Sequence, residues 1–124
     1  MSAASGTLIA ESLRVGAALD SVPIVVDKII RTDSGDVTVG QPLTWTFVEF
    51  HVDVDGLEMW AERLSQVLDD AVGWYCDFRS SEETFVVFAS RVFRYPRGNS
   101  EGRARAADHA RYVGVPESQL DWPE

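Results

Sequence analysis

The chain has 124 residues, 45% of them apolar with four Trp and six Phe, and 20 acidic against 11 basic side chains leave a net charge of −9. That length suits a single domain burying roughly two thirds of its extended-chain surface, and the apolar content excludes a disordered chain. The negative mean field opposes attraction to nucleic-acid phosphates and to anionic lipid, so neither nucleic acid nor membrane is expected as a partner.

A lone cysteine, Cys76, excludes an intramolecular disulfide and a cysteine-only metal cluster, and it fits a cytoplasmic setting. The first ten residues have neither a basic leader nor a sustained apolar run. No stretch approaches the roughly 20 apolar residues that span a bilayer, so a soluble, untargeted chain is expected.

Residues 1–6 are small and polar and read as a flexible N-terminus, with a single α+β domain over 7–124. Thr7 to Leu13 reads as a short strand, and Gly16, Asp20 and Pro23 then hold the next segment as a loop. Ile24-Val-Val-Asp-Lys-Ile-Ile-Arg is rich in β-branched residues and reads as a stronger strand, although its alternation is not clean. Turn chemistry at Asp33-Ser-Gly-Asp and Gly40-Gln-Pro ends it. Leu43 to Val52 has the clearest two-residue period: Thr44, Thr46, Val48, Phe50 and Val52 point one way, and Leu43, Trp45, Phe47, Glu49 and His51 the other.

A helix is expected from Gly56 to Leu68, with Asp55 as N-cap and Glu58 completing a capping box. Its apolar stripe is Leu57, Trp60, Ala61, Leu64, Val67 and Leu68. Asp69 and Asp70 sit at the unfavourable end of the helix dipole and help to stop it. Gly73 to Tyr95 holds half of the aromatic residues and reads as a hairpin from Trp74 to about Ala89, turning at Ser80-Ser-Glu-Glu, then a short strand from Val92 to Tyr95. A second helix follows from Ser100 or Glu101 to about Val113, broken by Gly114. Leu120 and Trp122 are expected to clasp the core, because each large side chain gains about 1.5 to 3 kcal/mol on burial.

These elements give an α+β fold with a mainly antiparallel sheet and two principal helices. The order from Leu43, strand-helix-strand-strand-helix, is compatible with a ferredoxin-like core extended by one or two N-terminal strands. Helices are expected on one side of the sheet, with a loop or a second subunit on the other.

Glu49 and His51 lie two residues apart on one strand face, within reach of a shared ligand or proton-transfer water, against the plainer reading of a polar strand end. Tyr75, Asp77 and Arg79 also share a face, either binding a small polar molecule or forming an internal salt bridge. Cys76 alternates with these among Trp74 and Phe78 and reads as buried filler. His109 has no metal-ligand partner at motif spacing, and a metal would require distant Glu49, His51 and Asp77 to converge; no metal site and no cofactor are expected. Ser80 and Ser81 lack a nucleophile elbow, and Gly35, Gly40, Gly98 and Gly102 fail the phosphate-loop spacings. Arg91, Arg94, Arg97, Arg103 and Arg105 form a candidate anion or acidic-partner site, or else ordinary solvated charge.

Gly40-Gln-Pro-Leu-Thr-Trp-Thr-Phe-Val-Glu-Phe, Gly73-Trp-Tyr-Cys-Asp-Phe, Glu83-Thr-Phe-Val-Val-Phe, Arg91-Val-Phe-Arg-Tyr and Val115-Pro-Glu-Ser-Gln-Leu-Asp-Trp resemble a small family of uncharacterised bacterial proteins. The resemblance implies that these segments share one domain, and it carries over no catalytic residue. Three functions stay open: a homo-oligomeric binding or interaction domain, most simply a dimer; an enzyme acting on a small polar ligand at the sheet; and an architectural interaction subunit.

Overall fold

The computed structural model describes residues 3–33, 40–70 and 73–120. Six strands form one antiparallel sheet: β1 (Ala3–Ile9), β2 (Ile24–Asp33), β3 (Thr44–Asp53), β4 (Cys76–Arg79), β5 (Glu83–Phe88) and β6 (Arg91–Pro96). Their spatial order is β2-β3-β1-β4-β5-β6. Two α-helices join them among the described residues, α1 (Leu57–Val67) between β3 and β4, and α2 (Ser100–Tyr112) after β6. No described helix is long and apolar enough to cross a membrane.

The first strand starts at Ala3, four residues before the expected Thr7, and it is central: β3 flanks it on one side and β4 on the other. Leu13 is not in that strand, since Ala10–Ser12 turns as a 3-10 helix. Because β3 and β4 both run antiparallel to β1, they are parallel to each other, and α1 makes a crossover that leaves one strand between them. From β4 onward the sheet is a plain meander.

The α1 stripe behaves as its spacing demands: Leu57, Trp60, Ala61 and Leu64 are buried against Ala4, Leu8, Phe50, Val52, Phe78, Phe85 and Val87. Phe50 meets Trp60 edge to face at 5.2 Å, and Phe78 stacks on Phe85 at 4.9 Å. The expected capping box is absent. Val54–Gly56 already turns as a 3-10 helix, so Gly56 takes the N-cap position with no side-chain hydrogen bond, and Asp55 lies inside the turn.

Expectation also fails on where the helices lie. On β5, Phe85 and Val87 join the α1 core, whereas Val86 and Phe88 join a second core with Tyr95, Ala106, Ala107, Ala110, Val115 and Leu120. Since alternate residues of a strand face opposite ways, α1 and α2 cover opposite faces. The small alanines of α2 allow this close approach, and Asn99 caps the helix by accepting from Gly102 N at 2.6 Å. Gly114 ends it in the left-handed region, φ 95°. Leu120 is buried as expected, whereas Trp122 lies outside the described residues.

The two helices leave the other end of the sheet thinly covered. β2 is an edge strand on which Val25, Val26 and Ile29 are 54%, 48% and 64% exposed.

Candidate functional site on the open sheet face

The site begins with a glycine. A Cβ on Gly6 would lie 2.6 Å from the Asp77 carbonyl oxygen and 2.7 Å from Phe78 Cβ, so only glycine lets β1 run this close to β4. That approach fixes the register in which Ser5 lies opposite His51 on β3 and opposite Arg79 on β4, while Thr7 lies opposite Glu49. Directly opposed residues share a face, so the exposed Ser5 and Thr7 floor a trough between Glu49 and His51 on one side and Asp77 and Arg79 on the other. Beyond β4 the trough meets the layer formed by α2 and the segment leading to Leu120.

A β-bulge supplies the partner of His51. The β2–β3 register steps from Val26 opposite Phe50 to Lys28 opposite Glu49, leaving Asp27 as the extra residue. Its carboxylate reaches His51 Nδ1 at 2.8 and 2.9 Å. A carboxylate only accepts, so Nδ1 is the donor of this bond, and in the neutral ring Nε2 is then the acceptor. Glu49 sits on the same face, opposite both Thr7 and Lys28, and makes no ion pair among the described residues.

On the other wall Arg79 Nη2 donates to Asp77 Oδ2 at 2.8 Å. Burial pushes the Asp77 carboxyl above its ordinary range, and the Arg79 charge pulls in the opposite direction. Tyr75 is used elsewhere: its hydroxyl donates to the Gln119 carbonyl at 2.9 Å, and Arg103 Nη2 donates to the Leu120 carbonyl at 2.7 Å, so the two side chains hold the same returning segment. Thus four of the five sheet residues expected from sequence border one trough, and Tyr75 anchors its wall.

The five arginines are spread over different partners. Arg91 lies 4.9 Å from the centre of the Phe93 ring, and Arg94 joins Glu83 at 2.6 Å and Glu58 at 2.7 Å on the α1 side. Arg97 donates to the Ser80 carbonyl at 3.2 Å, and Arg105 pairs with Glu101 at 3.6 Å along α2. Cys76 is buried, and burial, then the Asp77 charge, pushes its thiol upward, which suits filler and not a nucleophile. Burial, then Arg91, lowers His109. Among the described residues no group of three or more His, Cys, Asp or Glu is placed to hold a metal ion.

A cleft of about 500 Å³ lies away from the trough, between the C-terminal half of α1 and the β5–β6 turn, with Arg14, Glu62, Ser65, Asp70 and Ser90 on its walls. The sequence reading missed Ser5, Thr7 and Asp27. The broken alternation within Ile24–Arg31 was the signal for the last, since a bulge is what breaks a two-residue period. No family model, curated protein or solved structure matches the chain.

Proposed function

We propose that this chain is a soluble, cytoplasmic interaction domain that forms a homodimer through β2. The observation that carries the reading is the edge position of a ten-residue strand with Val25, Val26 and Ile29 exposed. Edge strands offer unpaired backbone groups to any added strand. The charge of β2 favours a second copy as that strand: Asp27 and Asp33 balance Lys28 and Arg31, so the strand is neutral within a chain of net charge −9. Two acidic copies meet there with least repulsion.

Light scattering on the full chain tests it. The wild type is expected at twice the 13.8 kDa of one chain, and Val26→Lys with Ile29→Lys at the monomer mass, with an unchanged circular dichroism spectrum. A wild type that stays monomeric up to near-millimolar concentration ends the proposal. In fold terms, the crossover β3–α1–β4 with one strand between its parallel members is the feature that favours a ferredoxin-like core, and the placement of α1 and α2 on opposite faces of the sheet is the feature against it.

A second reading, a small-molecule or enzymatic site, is favoured by one contact, the Asp27–His51 pair beside the trough. An imidazole held by a carboxylate is the arrangement that general-base chemistry uses.

A further inference from the structure

We propose that Ser5, His51 and Asp27 form a nucleophilic relay for carboxylic esters on the open sheet face. The inference rests on the second reading above and is independent of the dimer. Three strands deliver one residue each: Asp27 from β2, His51 from β3 and Ser5 from β1.

The order of the three residues is the one such chemistry needs. The Asp27 carboxylate holds His51 Nδ1 at 2.8 and 2.9 Å, which in the neutral ring selects the tautomer with the lone pair on Nε2. Ser5 is the residue directly opposite His51, so their Cβ atoms are about 4.5 to 5.5 Å apart, and the relay requires the two side chains to rotate so that Oγ meets Nε2. The two are not hydrogen-bonded in this structure, and such contacts are often loose before substrate binds. Arg79 lies opposite Ser5 on β4 with one guanidinium nitrogen on Asp77, and the relay assigns its remaining terminal N–H groups to a developing oxyanion, because strand N–H groups are already used in the sheet. Independent support comes from the bulge. Without the extra residue at Asp27 the strand would keep its alternation, and bulges next to active sites serve to re-aim a side chain in this way.

In the reaction, Ser5 Oγ attacks the ester carbonyl carbon while its proton passes to His51 Nε2. The tetrahedral adduct collapses, the C–O bond to the alcohol breaks, and the alcohol takes that proton from His51. Water then repeats the sequence, giving the carboxylic acid and free Ser5. Ser5 and His51 are the catalytic residues, and Asp27 is a positioning residue.

The test uses a fluorophosphonate probe with peptide mapping, and p-nitrophenyl acetate hydrolysis, on the full chain. Phosphonylation is expected on Ser5, absent in Ser5→Ala and in His51→Gln. Asp27→Asn is expected to lower kcat by on the order of a hundredfold or more with KM little changed, and Asp27→Glu to recover part of it. Circular dichroism melts verify that each variant is folded. No adduct, an adduct on another serine, or a Ser5 adduct forming equally fast in His51→Gln overturns the proposal. A monomeric wild type that labels at Ser5 would remove the dimer reading and leave this one standing.

Discussion

Gly102 of α2 sits directly on Tyr95 of β6, so close that a Cβ on the glycine would fall 2.7 Å from Tyr95 Cγ. Two effects oppose each other in Gly102→Ala. Helix propensity favours alanine by about 1 kcal/mol, whereas forcing a methyl into a packed contact costs about 1 to 3 kcal/mol. The contact involves the root of a buried side chain, which cannot swing aside, so overpacking wins. A lower urea midpoint is expected, by the equivalent of about 1 to 2 kcal/mol. An equal or higher midpoint would show that α2 slides freely on the sheet.

Thr84, fully buried on β5, lies between Arg79 and Tyr95 in one cross-strand row, and the Thr84 hydroxyl, Arg79 Nε and Tyr95 hydroxyl are all buried without hydrogen-bond partners among the described residues. An unsatisfied buried polar group costs about 1 to 3 kcal/mol, so Thr84→Val, which keeps the shape and removes the hydroxyl, is expected to raise stability by about 1 kcal/mol. Thermal melts decide it: a fall in Tm would mean that the hydroxyl is bonded in solution.

Acid stability has a defined window. The Arg94 hydrogen bonds hold the Glu83 carboxyl below its ordinary range; at Glu11, burial acts upward but the bonds from Thr46 and the Arg31 charge outweigh it. Carboxyls depressed by folding add stability above their unfolded value, about 4.3, and that stability is lost as pH falls through the folded value. Burial raises Asp77, which acts oppositely: its share is present at low pH and lost as pH rises through its folded value. Arg94→Gln is therefore expected to flatten the loss of stability below about pH 4.3, by no more than about 1 kcal/mol because the pair is partly exposed. Chemical unfolding at pH 3.5, 4.5 and 6 with and without the substitution checks it; parallel curves would show that the pair contributes nothing.

Sequence pattern foretold the elements whose burial is one-sided. The stripe of α1 is a direct record of which side meets the core, and the two-residue period of β3 locates the strand although it buries Trp45 on one face and Phe50 and Val52 on the other. β1 carried no such record. Gly6 is small because Asp77 and Phe78 of β4 press against it, and the small run Ala3-Ala-Ser-Gly looks like a frayed end to a hydrophobicity reading. The division of the helices between two faces was hidden for a related reason: the apolar run Phe85-Val-Val-Phe is buried on both sides, and a strand buried on both sides loses the alternation that would assign faces. Of the trough, Glu49, His51, Asp77 and Arg79 were legible from same-strand spacing, and the bulge at Asp27 left its trace in the broken alternation of Ile24–Arg31, whereas Ser5 depends on strand register, which no local pattern encodes.

The central place of β1 bears on how the molecule is assembled. The β2–β3 hairpin and the β4–β5–β6 meander each bring their strands together within a short stretch of chain, but they touch one another through β1 alone within the sheet. A strand from the beginning of the sequence therefore has to await β4, about 70 residues later, before the two halves can be zipped together. Until it does, β3 and β4 are both open edges, so the species most exposed to mispairing is one in which every hairpin is already formed.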